Sequence, residues 1–297
     1  MTLIDRKMCM AAIGVDIGEL IFHNLGVASS TQVSKFLTFL EDKKYASELN
    51  RNINATGVLV SAENASYLDN RFEKIIVTDP KWCFFTLLNA LAISKIHSKS
   101  VISKEAKIHD SAVISSCGVI VEEGVLIEPN AVVMSGVTIR RGTIIRAGAV
   151  IGVDGFEHKR TQKGILTVVH DGQVLIEELA EVGPCCTVNK GFSYRNTIIG
   201  KDCKLDAQVH YAHGVQSGMR CFIAASAVIS GHVTLGDDVW VGPGSVISNR
   251  ISVGNGAFIT IGSVVIRNVG AGQKVTGNFA LPHSDFLKHY INTMRRK

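Results

Sequence analysis

One histidine stands in a setting suited to proton transfer. His213 lies in the run Asp206-Ala207-Gln208-Val209-His210-Tyr211-Ala212-His213-Gly214. A neutral imidazole is the natural base for taking a proton from an amine or hydroxyl that attacks a thioester. Gly231 follows 18 residues later. A backbone N–H at a glycine can face a developing oxyanion, and the missing side chain lets a substrate come close. Asp206 is a candidate for orienting the ring. His210 and His232 read as solvent-facing or inter-subunit histidines.

Whether residues 18 apart can meet depends on the fold, and the sequence carries a repeat that answers this. Aliphatic residues recur every six positions: Ile102, Ile108, Ile114, then after one extra residue Val121, Ile127, Val133, Ile139, Ile145 and Ile151. The phase is lost over 153–172 and returns at Ile176, Val182 and Val188. It then runs from Ile199 through Leu205, Tyr211, Ser217, Ile223, Ile229, Leu235, Val241, Ile247, Val253 and Ile259 to Val265, with Tyr211 and Ser217 the two non-aliphatic members. A period of six matches neither an amphipathic helix nor plain strand alternation. It matches a short strand and a sharp turn, repeated, with Gly, Asn or Asp supplying freedom at the corner. The repeat resembles that of hexapeptide β-helices, and the resemblance implies three repeats per coil, so that residues 18 apart would stack at the strand spacing of roughly 4.8 Å. His213 and Gly231 are then neighbours. Tyr211 and Ser217 bracket His213, and local departures from a packing rule are expected at functional sites.

The remaining chain divides around this repeat. Residues 1–100 mix strand-like runs (56–60 and 74–77) with a helix-like stretch from Trp82 to His97 that Asp79-Pro80 is placed to start. Residues 101–280 hold the repeat, and 281–297 show helical spacing at Phe286, Tyr290 and Met294. The expected fold is mainly β: a left-handed parallel β-helix with a small N-terminal α/β domain and a short C-terminal helix. Low aromatic content (6%) with 28 glycines favours short strands and tight turns. A net charge of +5 is too mild and too scattered to suggest nucleic acid. The seven cysteines include no CxxC pair, which argues against a disulfide framework or a zinc site and for reduced thiols in the cytoplasm. No metal-ligand spacing and no phosphate-binding GxxxxGK[ST] loop occurs. No run of about 18 apolar residues could span a membrane, and the N-terminus has no signal-peptide pattern.

Several stretches resemble the UDP-3-O-(3-hydroxyacyl)glucosamine N-acyltransferases, the LpxD type, of lipid A synthesis. They are Ile151-Gly152-Val153-Asp154-Gly155-Phe156, Asn189-Lys190-Gly191, Asn196-Thr197-Ile198-Ile199-Gly200, Leu205-Asp206 through Ala212-His213, and Gly26-Val27-Ala28-Ser29-Ser30 with Phe39 and Asp42-Lys43-Lys44-Tyr45. The resemblance implies that His213 is the catalytic base and that the Gly231 amide is the oxyanion donor. It implies that Phe39 and Tyr45 sandwich a uracil, with Asp42, Asp154, Phe156 and His210 as further substrate-binding positions. The family usually has Asn-Pro where this chain has Asp42-Lys43, and a second family histidine is replaced by Arg250.

The resemblance further implies a homotrimer with active sites between neighbouring β-helices and no bound cofactor or metal. Acyl carrier protein would bring the acyl thioester to a UDP-activated amino sugar. The chain ending (Val264 to Val269, then Gly277-Asn278-Phe279-Ala280) is also similar to the tail of sugar acetyltransferases that use acetyl-CoA. Two alternatives therefore stand beside the N-acyltransferase: a nucleotide-sugar N-acetyltransferase of surface-polysaccharide synthesis, and a non-catalytic β-helix that binds a sugar nucleotide.

Overall fold

The computed structural model describes residues 3–28, 30, 35–191, 195–277, 280 and 282–295. From Val101 onward the six-residue repeat becomes a parallel coil with three flat faces. The first face holds Val101–Ile102, Val119–Val121, Val137–Ile139, Val174–Ile176, Thr197–Ile199, Gln216–Ser217, Thr234–Leu235 and Ser252–Val253. The second runs from Lys107–Ile108 to Lys274–Val275, and the third from Val113–Ile114 to Val264–Val265. Strands on each face pair in parallel with the coil before and the coil after; Tyr211 pairs with Val188 and with Ile229. This is the expected class: mainly β, a left-handed parallel β-helix with an N-terminal α/β unit and a terminal helix.

The repeat residues point inward. Val121, Ile127, Ile139, Ile151, Ile176, Ile199, Ile229 and Ile247 are all at most 2% exposed. Each aliphatic side chain buried this way favours folding by about 1.5–3 kcal/mol. The first coil is the exception, with Ile102 43% exposed and Ile108 and Ile114 only partly buried, because no other coil covers its outer side.

Two expectations about the interior change. Tyr211 is fully buried, and its hydroxyl donates to the carbonyl of Ile198 at 2.7 Å. Ser217 is also buried, and its Oγ accepts the N–H of Gly200 at 3.0 Å. Both satisfy polar atoms inside the coil, so their departure from the aliphatic rule belongs to the core and not to a surface site. The glycine that follows an inward residue also has another cause. A Cβ on Gly200 would lie 1.8 Å from the carbonyl oxygen of Gly218, so the next coil's backbone excludes any side chain there. The left-handed corner conformation falls two residues later, on Asp202, Arg220 and Asp238 (φ 57°, 55° and 57°).

The N-terminal unit is a four-stranded parallel sheet, Asn24–Leu25, Phe36–Leu40, Ala55–Val60 and Glu73–Ile76 in spatial order. Helix Pro80–Ser94 starts where Asp79 accepts the Trp82 N–H at 2.9 Å, with Pro80 in the first turn. It buries Phe84, Leu87 and Leu88 in a core shared with Leu37, Leu59 and helix Arg6–Ile13. The terminal helix spans His283–Arg295 and exposes Phe286, Leu287 and Ile291. The side chains of Tyr290 and Met294 lie outside the described residues, as do Ser29, Asn278 and Phe279.

The stretch 153–172 that lost the repeat contains an antiparallel hairpin, His158–Thr161 with Gly164–Thr167. The hairpin is fastened to helix Pro80–Ser94. Asn89 donates to Thr167 O and accepts from Val169 N, both at 2.8 Å. Lys81 donates to Arg160 O at 3.0 Å, and Asp79 accepts the Gln162 N–H at 2.7 Å. Val168 is buried in the N-terminal core. The excursion therefore ties the two parts of the chain together.

Candidate active site

The coil leaves its path at one corner, where the third face passes to the first. The 154–173 excursion starts after Val153 on the third face and ends at Val174 on the first. The 190–196 segment connects the same two faces one coil later. His213 occupies that corner in the following coil and Gly231 in the one after. Three of the family-like stretches (151–156, 189–191 and 196–200) and the His213 end of a fourth are thereby gathered along a single edge. Asn189 Nδ2 donates to Asp154 O at 3.2 Å, Gly172 N to Gly191 O at 3.0 Å, and Gln173 N to Asn196 Oδ1 at 3.0 Å. Asp154 itself pairs with Lys190 at 3.1 Å.

The imidazole of His213 is lodged between two glycines. A Cβ on Gly155 would lie 2.9 Å from its Cδ2, and one on Gly231 would lie 2.6 Å from its Nε2. The predicted juxtaposition of His213 with Gly231 is thus present. The coil ladder uses the amides on either side of Gly231: Ser230 N donates to Ile247 O and His232 N to His213 O, both at 3.0 Å. The corner is braced from below, where Gly214 N donates to Thr197 Oγ1 at 2.8 Å. Arg195 braces it from the side, donating to Gly214 O and, at 2.8 Å, to Thr234 Oγ1.

Three side chains that sequence reasoning did not assign to the site lie against this ring, and a fourth backs one of them. Glu157 Oε2 lies 3.6 Å from His213 Nε2, and both side chains are mostly buried (15% and 13% exposed). Glu157 is in turn paired with Lys159. The rings of His170 and His232 meet His213 edge-on, at centroid distances of 5.6 and 5.0 Å. Burial of His213, partly offset by the Glu157 carboxylate, lowers its pKa to about 4. Burial and the neighbouring His213 bring His232 to about 3. Burial lowers His170 as well. All three are neutral near pH 7, and a neutral imidazole is the form that can accept a proton.

Other expectations need correction or placement. Asp206 sits one corner away, where the second face passes to the third, and its Oδ1 accepts the N–H of Ala207 at 2.7 Å. The carboxylate at His213 is Glu157, carried in by the hairpin. His232 is partly buried, and its ring packs beside His213. His210 lies on the outer side of the third face, and burial lowers its pKa. Phe156 is 90% exposed and touches His158. Phe39 stacks at a tilt on Phe84, 4.7 Å between centroids, while Tyr45 is exposed on the turn Lys43–Tyr45. Asp42 caps that turn by accepting from Lys44 N at 3.0 Å and pairs with the Lys44 ammonium at 3.2 Å. The Lys44 contacts hold the Asp42 carboxyl below its usual range.

Among the described residues, no group of three or more His, Cys, Asp or Glu side chains is arranged to hold a metal ion. No described helix is long and apolar enough to cross a membrane.

Parts of the chain are similar to known proteins. Residues 118–152 match the family model described as bacterial transferase hexapeptide (six repeats). The UDP-3-O-acylglucosamine N-acyltransferase of Granulibacter bethesdensis is 47% identical over 146 residues, which are 49% of this chain and 42% of that protein. The proteins of the same name from Methylobacterium nodulans and Campylobacter lari are 43% and 37% identical. Each match covers 30% of this chain, with 25% and 28% of the relative. The matched stretches thus span less than half the length of these curated relatives. Among solved structures, the UDP-N-acetylglucosamine acyltransferase from Campylobacter jejuni is 24% identical. It covers 68% of this chain and 85% of its own, with a TM-score of 0.40.

Proposed function

We propose that the chain is an N-acyltransferase that moves an acyl group from a thioester to the amine of a UDP-activated amino sugar, in a reaction of the lipid A type. The observation that carries this reading is the imidazole of His213 held neutral between Gly155 and Gly231, on the edge shared with the 151–156, 189–191 and 196–200 stretches. The amine lone pair attacks the thioester carbonyl, and His213 takes the proton from nitrogen. The Gly231 N–H faces the oxyanion of the tetrahedral species. The C–S bond then breaks, and the imidazolium returns its proton to the departing thiolate, leaving amide and thiol.

Asp154, Phe156 and His210 are the proposed sugar-side contacts, and Tyr45 offers an exposed ring to uracil, with Asp42 on the same turn and the half-buried Phe39, packed on Phe84, as the second proposed uracil contact. Acyl carrier protein is the proposed donor, the assembly a homotrimer and the compartment the cytoplasm. The relatives of this name support the sugar and the reaction. Positioned general bases contribute typically 10²–10⁴-fold to rate. Turnover with acyl-carrier and CoA thioesters side by side tests the proposal: His213→Ala should lose at least 10²-fold with one of them while melting as the parent does. Full activity in that variant overturns the assignment, and turnover with acetyl-CoA alone overturns the donor.

A further inference from the structure

We infer that Glu157 is a positioning residue for His213, and that Lys159 governs how much of the Glu157 charge reaches the imidazole. This rests on the reading of His213 as the base. The carboxylate lies 3.6 Å from His213 Nε2 and is shared with the Lys159 ammonium. Lys159 in turn lies 4.6 Å from the ring centroid of Phe85 on helix Pro80–Ser94. Aromatic ring, ammonium, carboxylate and imidazole therefore form one line from the N-terminal unit to the β-helix. The hairpin that carries Glu157 and Lys159 is held in place by Asn89, Asp79 and Lys81.

The electrostatics give each member a sign. Burial opposes a charge on His213. His170, Lys159 and His210 oppose it too, as cations or potential cations, and the His232 ring packs against it. Glu157 is the group that favours the imidazolium. When His213 takes the amine proton, the carboxylate at ion-pair distance stabilises the new cation without moving. The ammonium of Lys159 withholds part of that benefit, and so keeps the base neutral before the reaction. Asp154, the next carboxylate on this edge, is engaged with Lys190. The salt bridge between Glu157 and Lys159 also links two residues of one hairpin arm, and a purely structural role would leave the His213 titration unmoved.

The test is the titration of ¹³C-labelled histidine in the full-length protein by NMR, set beside the pH dependence of turnover. Opposite charges at this distance move a midpoint by about one pH unit or more. Lys159→Met should raise the His213 midpoint, within the range where the protein is folded, and Lys159→Arg should restore it. Glu157→Gln should lower the midpoint and lower kcat with KM little changed, and Glu157→Asp should recover part of the rate. An unmoved midpoint in both Lys159→Met and Glu157→Gln overturns the inference, whatever turnover does. If the midpoints move as stated but His213→Ala still turns over, the base assignment fails while the electrostatic coupling stands.

Discussion

The backbone of Gly231 lies against the imidazole of His213, close enough that a methyl group on its Cα would sit 2.5 Å from Cε1 and 2.6 Å from Nε2. That distance is shorter than any real carbon contact, so the ring must move if a side chain appears. Gly231→Ala therefore displaces the base while altering the coil little. Overpacking of this kind costs about 1–3 kcal/mol of stability. The loss in kcat/KM should be about 10²-fold or greater, since a displacement of about 1 Å at a reacting group has that effect. Steady-state kinetics and a thermal melt on the same sample check both parts; a variant with parental kcat shows that the ring position is not critical.

The histidine cluster predicts acid sensitivity. Burial lowers His213 to about 4 and His232 to about 3, from an ordinary value of 6.5. In both, the folded value lies below the unfolded one, so the unfolded chain binds protons first as pH falls. The stability tied to neutral imidazoles is complete above about pH 6.5 and is lost as pH drops from there toward 4 and 3. At pH 5 each histidine can account for at most about 2 kcal/mol by this linkage. His232 also sits at φ 61°, a conformation that asparagine tolerates. His232→Asn should thus keep the corner and reduce the fall in Tm between pH 7.5 and pH 5. An unchanged fall would assign the acid sensitivity to other groups.

How much of this was legible in the sequence depends on which residues interact. The coil was readable because the six-residue period records, at every turn, which side chain faces inward, and one coil length converts a separation of 18 into the contact of His213 with Gly231. Tyr211 and Ser217 flank His213 for a different reason than expected. Their polar atoms close bonds inside the coil, to Ile198 O and from Gly200 N. Glu157 was not legible. It reaches His213 across 56 positions through an excursion with no repeat, and its place is fixed by docking on helix Pro80–Ser94. Asp206, nearer in sequence, is turned to another corner by the same coil that brings Gly231 close.

That distinction is itself testable at Tyr211. Tyr211→Phe removes the hydroxyl and leaves the buried Ile198 carbonyl with one partner fewer. An unsatisfied buried polar group costs about 1–3 kcal/mol, which should appear as a lower Tm with kcat and KM close to parental. A selective loss of turnover without loss of stability would return Tyr211 to the site.

The hairpin anchorage predicts that a residue far from the imidazole controls it. Asn89 closes two bonds of 2.8 Å to the hairpin's end, donating to Thr167 O and accepting from Val169 N. Asn89→Ala removes both and leaves the Val169 N–H without its acceptor. Hydrogen bonds of this type contribute about 0.5–1.5 kcal/mol each, and more when a partner is left buried. The hairpin still has Lys81, Gln162 and Val168 to hold it, so the domain should remain folded with a modestly lower Tm. The amides of 158–169 should exchange with solvent faster, because their opening no longer breaks the Asn89 clamp. Since Glu157 and Lys159 travel with this hairpin, turnover should fall several-fold although the altered side chain touches neither His213 nor Gly231. Hydrogen exchange resolved by peptide, measured with kinetics on the same variant, checks the coupling. Faster exchange with unchanged turnover would show that the position of Glu157 does not limit the reaction.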